Sequence, residues 1–110
     1  AKQFAVAEMF YKLEQIRALF IRSIQEFTVN PDKSVRMRAY ASQFTSMEGA
    51  VEICRLAIRT CGGRSMLKSF PLERMYRDAR CGSLMFPWTA EECLNRLGRE
   101  SLYEKGETDD

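Results

Sequence analysis

The chain has 110 residues, of which 45% are hydrophobic and 29% charged, and its formal net charge is +2. The length suits one domain with a single core, and the composition excludes both a disordered chain and a membrane-spanning one, since no run approaches the roughly 20 apolar residues of a transmembrane helix. Acidic residues are mixed among the basic ones, so the chain lacks the clustered positive charge of a protein that binds double-stranded DNA. We therefore expect no nucleic-acid partner.

The first element is a long helix that runs from the start of the chain to Phe27. Apolar residues recur at steps of three and four, which predicts one stripe facing the core: Met9, Leu13, Ile16, Phe20, Ile24 and Phe27. Asn30 and Pro31 then have the residue types of an N-cap and a first helical position. They predict a second helix from Pro31 to about Cys61. Its apolar seam alternates strictly between steps of three and four, a heptad pattern for close helix packing.

Two shorter helices are predicted in the second half. Gly62 and Gly63 end the second helix, and Pro71 opens a third that ends near Gly82. Thr89 has capping-box spacing to Glu92 and opens the fourth, whose predicted inward residues are Cys93, Leu94, Leu97 and Leu102. The pattern predicts an all-α fold, an antiparallel four-helix (up-down-up-down) bundle over residues 1–104, followed by a disordered acidic tail at 105–110.

The four cysteines form no Cys-x-x-Cys pair, and the chain contains no histidine. We therefore predict no metal site and no Ser-His or Cys-His catalysis. The cysteines are interpreted as small buried apolar residues in a reducing compartment, the cytoplasm or, in a eukaryote, the mitochondrial matrix. A helical pattern already runs at Ala1 and no targeting motif is visible, so we expect a fragment of a longer chain.

Three local features have both a structural and a functional interpretation. The Gly62-Gly63 pair is a C-cap or a surface that another molecule approaches closely. The segment "LERMYRDAR" is a salt-bridged helix face, or one in which a partly buried Asp78 orders the arginines. The cap at Thr89 either closes a helix or leaves backbone N–H groups free for an anion.

The string "IRTCGGRSMLKSFPLERMYRDAR", residues 58–80, resembles the C-terminal signature of the acyl-CoA dehydrogenase superfamily. Members typically show Gln-x-x-Gly-Gly-x-Gly-Tyr and then Pro-x-Glu-Arg-x-x-Arg-Asp-Ala. The opening "AEMFYKLEQIRAL" is similar to the family's Leu-Ala-Asp-Met … Ala-Arg-Leu helix. The residues in register with the signature are Gly62, Gly63, Pro71, Glu73, Arg74, Arg77, Asp78 and Ala79. The resemblance implies the helical C-terminal domain of a larger flavoenzyme.

It also implies FAD as the cofactor, a thioester such as an acyl-CoA as the substrate, and a homo-oligomer, a dimer or tetramer, formed through the bundle. Gly62 and Gly63 match the segment that contacts the flavin nucleotide of a neighbouring subunit. Arg59 replaces the family's Gln there, and a guanidinium suits a pyrophosphate or an adenine face. Thr89 and Glu91 match later positions that lie near the FAD.

The departure from the family lies in the loop before the fourth helix. Phe86 falls where many members carry the Glu that removes a proton alpha to the thioester, and a phenyl ring accepts no proton. Trp88 replaces the following glycine, and Pro87 is a one-residue insertion. We assign no catalytic base, and we interpret Phe86, Pro87 and Trp88 as a hydrophobic wall of the flavin or substrate pocket, or as bundle core.

Three explanations of the missing carboxylate stay open. The base lies on a helix upstream of these residues, or the chain is a flavin-dependent monooxygenase of the same fold, or it is a non-catalytic helical-bundle interaction module. The leading hypothesis is the C-terminal domain of a flavin-dependent oxidoreductase that desaturates an acyl thioester between its alpha and beta carbons. In that reaction a carboxylate takes the proton and the flavin takes the hydride. The fragment alone is expected to be inactive.

Overall fold

The computed structural model of the chain describes residues 2–103, and these residues are all-helical, without a β-strand. The four α-helices are α1 (Lys2–Gln25), α2 (Lys33–Cys61), α3 (Leu72–Gly82) and α4 (Ala90–Leu102), with a single 3-10 turn at Gly63–Met66. The all-α prediction is confirmed. The predicted tail at 105–110 lies outside the described residues, and the domain boundary at 104 stays a prediction.

The long helix α2 is the centre of the described fold. Helices α1, α3 and α4 each pack against α2, and these three do not pack against one another. Such an arrangement is consistent with a helical bundle. The predicted up-down-up-down order is not confirmed, because a closed bundle of that kind also needs contacts between its other neighbouring helices, such as α3 and α4.

Among residues 2–103, α2 is the single helical neighbour of α1, so α1 buries one narrow face there. Met9 and Ile16 of the predicted core stripe are half-buried, and Ile16 contacts α2 at Gly49. Leu13, Phe20 and Ile24 are exposed, with 39, 52 and 58% of their surface accessible. The prediction that the whole stripe faces the core is therefore wrong, because its members divide between the α2 contact and the solvent.

The junction between α1 and α2 is held by an ion-pair cluster. Arg38 Nε of α2 donates to Glu26 Oε2 at 2.7 Å, and Arg22 Nε donates to Glu26 Oε1 at 3.2 Å. The hydrogen bond from Arg38, followed by the charges of Arg38 and Arg22, outweighs desolvation and lowers the pKa of the Glu26 carboxyl. Glu26 therefore stays ionised at neutral pH and links the end of α1 to the start of α2.

The N-cap of α2 is Asp32, not the predicted Asn30. Asp32 has extended backbone angles, and its Oδ1 accepts the N–H of Val35 at 3.0 Å, which satisfies one of the free donors of the first turn. The Pro31 carbonyl instead accepts Arg36 Nη1 at 2.9 Å. The helix consequently begins two residues later than the sequence predicts.

The end of α4 is tied to the start of α2. Arg36 makes an ion pair with Glu100 at 3.2 Å, and Lys33 Nζ donates to the Tyr103 carbonyl at 3.2 Å. Along α4, Cys93 is fully buried, whereas Leu94 and Leu102 are 51 and 74% exposed. The prediction that both leucines face inward is therefore wrong.

The apolar core is thin for a chain of this size. Within residues 2–103, the buried apolar side chains are Leu56 and Cys93. Many large apolar side chains remain accessible instead. None of the described helices combines the length and the apolar character needed to cross a membrane.

Candidate functional site

The loop at residues 83–89 joins α3 to α4 and is fixed at both ends by Ser83. The Ser83 carbonyl accepts the N–H of Ala90 at 3.0 Å. Its buried hydroxyl accepts Arg80 Nη1 at 3.0 Å and donates to the Arg80 carbonyl at 3.1 Å. These bonds hold the end of α3 beside the start of α4, so the residues between them project as a short loop.

Trp88 anchors that loop to α2. Its ring stacks on Tyr40 with centroids 5.7 Å apart, and the Arg96 guanidinium lies 4.9 Å from the Trp88 centroid and 5.8 Å from that of Tyr40. Arg96 Nε donates to Glu92 Oε1 at 2.9 Å, which orients the guanidinium. Cation–π contacts of this kind contribute about 0.5–1 kcal/mol at exposed sites. Trp88 is therefore held by α2 and α4 together.

Phe86 behaves differently from Trp88, although only Pro87 separates them. Phe86 is 89% exposed, against 39% for Trp88, and the peptide bond between Phe86 and Pro87 is cis. Both side chains are exposed, although Trp88 much less so, and neither is buried bundle core. The role of the three residues as a pocket wall stays a prediction.

An open pocket of about 740 Å³ lies beside the loop. Aromatic and apolar residues of the loop line this pocket together with charged or polar side chains of α2, α3 and α4. Within this lining, Glu48 of α2 is a half-buried carboxylate. The pocket gathers the predicted residues of this part of the chain: Phe86, Pro87, Trp88, Thr89 and Glu91. Its lining also includes charged and polar side chains that the sequence did not single out, among them Glu48, Arg80, Asn95 and Arg96.

The N-terminus of α4 opens into the same pocket, but its donors are mostly used. Thr89 is the N-cap, as predicted, and its hydroxyl accepts the Glu92 N–H at 3.1 Å. The Ala90 N–H binds Ser83, and the Cys93 N–H donates to the Thr89 carbonyl at 3.0 Å. An anion at this helix start would therefore meet fewer free donors than a full first turn offers.

The predicted nucleotide contacts lie at the other end of α2. Gly62 has a φ of 82°, a conformation that favours glycine, and its N–H donates to the Ile58 carbonyl at 2.8 Å. The hydroxyl of the buried Ser65 donates to the Gly62 carbonyl at 2.7 Å and orders the turn. A Cβ added at Gly62 or Gly63 would meet no atom within 4 Å, so both residues face open space.

Arg59 lies in a groove of about 800 Å³ between the start of α1 and the end of α2. Phe4 and Tyr11 supply aromatic surface. Three cationic side chains and one acidic one share the lining, which gives the groove a net positive charge: Lys2, Arg55, Arg59 and Glu8.

The structure thus divides the predicted cofactor contacts into two groups. Arg59 belongs to the groove at the C-terminal end of α2, whereas Thr89 and Glu91 belong to the loop pocket, and no residue lines both. A single ligand bound by this chain alone would not contact both groups through these pockets. The assignment of each residue to a cofactor stays a prediction.

On α3, Glu73 and Arg77 lie one helical turn apart, as do Arg74 and Asp78, and the first of these pairs forms an ion pair in the structure. Arg77 Nη2 donates to Glu73 Oε2 at 3.1 Å, one helical turn away. Asp78 is exposed, so the hypothesis of a partly buried Asp78 that orders the arginines is wrong.

The cysteines also differ from the expectation of four buried residues. Cys93 is fully buried and Cys54 is half-buried, whereas Cys61 and Cys81 are exposed at the ends of α2 and α3. Burial raises the pKa of the Cys54 thiol. Burial also raises the pKa of the Cys93 thiol, and the neighbouring Glu92 carboxylate adds to this effect while Arg96 opposes it.

We expect Cys61 and Cys81 to react with a thiol reagent before Cys54, and Cys93 to react last. The thiolate is the reactive form, and the raised pKa of the Cys93 thiol keeps this thiol protonated to a higher pH than an ordinary cysteine. Pulsed alkylation at several pH values, read by peptide mass spectrometry, measures the order. The urea-unfolded chain, in which all four thiols should react alike, is the control. Equal rates for Cys93 and Cys61 in the folded chain would contradict the structure.

Comparison with known proteins defines the class to which this fold and site belong. The sequence model described as "Acyl-CoA dehydrogenase, C-terminal domain" matches residues 1–86. The match therefore includes α1, α2, α3 and the loop as far as Phe86. The chain belongs to the acyl-CoA dehydrogenase family, as its C-terminal domain.

A curated relative is the caffeyl-CoA reductase-Etf complex subunit CarC of Acetobacterium woodii. The two are 32% identical over 77 residues, which cover 70% of this chain and 20% of the relative. The chain thus spans about a fifth of the length of the curated relative it matches.

Proposed function

We propose that this chain is the C-terminal part of a flavin-dependent oxidoreductase that acts on an acyl-CoA or a related thioester. Its role is to contribute contacts to FAD and to shape the substrate pocket. The observation that carries the proposal is the loop pocket, in which the helix start carrying Thr89 and the aromatic segment beside it meet in a chain of the acyl-CoA dehydrogenase family. The whole protein's activity and its cytoplasmic location belong to the same proposal.

The groove at Arg59 fits the nucleotide part of FAD. A pyrophosphate is anionic and an adenine is planar, and this groove offers net positive charge beside the Tyr11 and Phe4 rings. The open backbone at Gly62 and Gly63 allows a close approach that a side chain would prevent. These residues would hold the nucleotide of a neighbouring subunit's cofactor. When bound, FAD supplies a two-electron acceptor or donor for hydride transfer.

The pocket beside the loop at residues 83–89 suits the reacting parts of the flavin and the substrate. Phe86 and Pro87 offer apolar surface that excludes water, while Trp88 fixes their position through Tyr40 and Arg96. Phe86 cannot take a proton from the substrate. Of the carboxylates that line the pocket, Glu92 is engaged by Arg96, and Glu48 on α2 is half-buried. Because Phe86 stands at the position of the usual carboxylate, the proposal places the proton donor or acceptor of a desaturating or saturating enzyme on another element, such as a helix upstream of these residues.

Two alternatives have different consequences. A flavin-dependent monooxygenase of the same fold needs no alpha-proton base, so Phe86 is compatible with it. A helical interaction module is favoured by the apolar surface that α1 leaves uncovered. Assembly with a protein partner is also part of our proposal, since the relative's name describes that protein as a subunit of an Etf complex.

The test is flavin retention by the polypeptide that carries this chain. We expect a yellow protein whose flavin absorbance survives gel filtration, and we expect Arg59→Glu to weaken flavin binding by about tenfold or more, since it opposes a pyrophosphate with a like charge. Arg99→Glu, on the exposed side of α4, is the matched control and should leave occupancy unchanged. A colourless protein that is folded and purified with added FAD would reject the enzyme proposal and favour the interaction module.

A further inference from the structure

The pocket beside the loop at residues 83–89 receives one carboxylate from α2. This is Glu48, which lines the pocket together with Phe86 and is half-buried there. Phe86 stands at the position of the usual carboxylate, so the loop itself offers no group that could take a proton at that point. The proposed function places the proton donor or acceptor on another element, and α2 is such an element within this chain.

The backbone around Glu48 is held by α1 and by the loop. Gly49, the next residue of α2, packs against Ile16 of α1, and a Cβ added there would lie 2.6 Å from Ile16 Cδ1. About two turns before Glu48, Tyr40 stacks on Trp88 of the loop with ring centroids 5.7 Å apart. Glu48 therefore projects from a helix that packs on other elements near this position, and an acid–base group needs such a fixed support.

The charge of Glu48 is not neutralised within residues 2–103, because no arginine or lysine of this part of the chain forms an ion pair with it. The two other carboxylates of the pocket differ from it. Glu92 accepts Arg96 Nε at 2.9 Å, and Glu91 is exposed on the first turn of α4. Glu48 is thus the pocket carboxylate that combines partial burial with a charge that no ion pair of the described residues engages.

We propose that Glu48 exchanges a proton with the alpha carbon of the thioester, an inference that rests on the proposed function. In desaturation, the Cα–H bond breaks and its proton passes to a carboxylate oxygen of Glu48. The electron pair of that bond forms the Cα=Cβ double bond, while a hydrogen leaves Cβ as a hydride for the bound FAD. In saturation the same atoms move in reverse, and protonated Glu48 returns its proton to Cα.

The arginines that line the pocket have different partners. Arg96 is held by Glu92. Arg80 of α3 donates from Nη1 to the neutral Ser83 hydroxyl at 3.0 Å, so its positive charge is not cancelled by that contact. A thioester that loses its alpha proton develops negative charge on its carbonyl oxygen, and a cation in the same pocket stabilises that charge. The pocket thus offers both a proton acceptor and a positive charge.

Acetoacetyl-CoA tests the proton transfer separately from the redox reaction. Its alpha carbon loses a proton, but its beta carbon is a carbonyl and has no hydride to give. We expect the longer polypeptide that carries this chain, loaded with FAD, to convert bound acetoacetyl-CoA to its enolate, with an increase in ultraviolet absorbance. Glu48→Gln should abolish the enolate, because an amide does not take up the proton. Equilibrium dialysis should show that this variant still binds the thioester.

Flavin reduction by saturated thioesters, from butanoyl-CoA to dodecanoyl-CoA and phenylpropanoyl-CoA, tests the complete reaction. With the thioester that reduces the flavin fastest, Glu48→Gln should slow the reduction by a factor of about 100 or more. Glu48→Asp keeps a carboxylate and should recover part of the rate. Glu52 lies one turn further along α2 and does not line the pocket, so Glu52→Gln should change neither the enolate nor the rate. Flavin occupancy and far-UV circular dichroism check each variant.

The outcomes separate this inference from the proposed function. If Glu48→Gln binds flavin, forms the enolate and is reduced at the wild-type rate, the inference is wrong and the proposed function stands. Equal losses in Glu48→Gln and Glu52→Gln, or a wild type that binds flavin and thioester but forms no enolate, would also overturn it. A folded protein that binds neither flavin nor acetoacetyl-CoA would overturn both.

Discussion

Replacing Gly49 by leucine is expected to lower the free energy of unfolding by about 3 kcal/mol, the upper range for overpacking a helix contact. A Cβ built on Gly49 would lie 2.6 Å from Ile16 Cδ1 and 3.1 Å from Ile16 Cγ1. Glycine therefore allows α1 and α2 to approach closely. Because α1 packs on α2 alone in the part of the chain that the structure describes, a leucine that pushes the two helices apart weakens the contact that holds α1 in place.

Alanine at the same position is expected to have little effect. Its single methyl group meets the flexible end of the Ile16 side chain, and the cost of moving that end is offset by a gain in helix propensity of about 1 kcal/mol. Urea unfolding followed by far-UV circular dichroism, at a fixed low protein concentration, measures both variants. The contrast between leucine and alanine separates crowding from the general cost of changing a glycine.

A double-mutant cycle tests the physical reason. Ile16→Ala removes the atoms that the new side chain meets, so we expect it to recover a large part of the loss in Gly49→Leu and to show a coupling of about 1–2 kcal/mol. Additive losses in the double variant would mean that the leucine acts through something other than the contact with Ile16. In that case the close approach of α1 to α2 at Gly49 would not be what sets the stability of this pair.

Local signals in the sequence predicted the helices well. Heptad spacing along α2, the stop at Gly62 and the cap at Thr89 are all decided by interactions within a few residues, and α2, α3 and α4 begin or end close to these positions. The start of α2 is the exception. Both Asn30 and Asp32 are good N-caps by residue type, and in the structure it is Asp32 that has extended backbone angles and accepts the Val35 N–H.

Periodicity did not predict which side of α1 is buried, because the helix has two overlapping apolar stripes. Steps of three and four connect Met9, Leu13 and Ile16 as readily as they connect Val6, Phe10 and Leu13. Only the position of α2 separates them, and it buries Ile16 while it leaves Leu13 exposed. A tertiary contact of this kind cannot be recognised from the spacing of apolar residues within one helix.

In the candidate site, too, sequence reasoning finds residues that are close together in the chain but not contacts between residues that are far apart in it. The sequence predicts five pocket residues because they are consecutive or nearly so, and all five line the pocket: Phe86, Pro87, Trp88, Thr89 and Glu91. Tyr40 lies on α2, far from Trp88 along the chain, so its stacking was not predictable from spacing. Arg96 gave one usable signal, its four-residue spacing from Glu92, which predicts a helix pair but not a contact with two rings.

Arg96→Ala is expected to release Trp88 from its place between α2 and α4. The guanidinium contacts both rings and is oriented by Glu92, so its removal eliminates two cation–π contacts and one ion pair together. We expect a loss of about 1–2 kcal/mol in the free energy of unfolding and a clear increase in acrylamide quenching of Trp88. Trp88 is the only tryptophan of the chain, so its fluorescence reports on this loop without interference.

Two further variants make the result specific to the position of Trp88. Arg96→Lys keeps the charge but loses the planar group that lies over the rings, so it should give intermediate quenching. Arg99 lies on the same helix, but no contact links it to either ring. Arg99→Ala should therefore leave the quenching of Trp88 unchanged. If Arg96→Ala left Trp88 as protected as in the wild type, stacking on Tyr40 alone would position the indole. If quenching rises as expected, Arg96 holds Trp88 and thereby positions Phe86 and Pro87 at the pocket. Arg96 is not proposed to contact the flavin. The same variant, made in the longer polypeptide that carries this chain, should nevertheless alter the flavin spectrum.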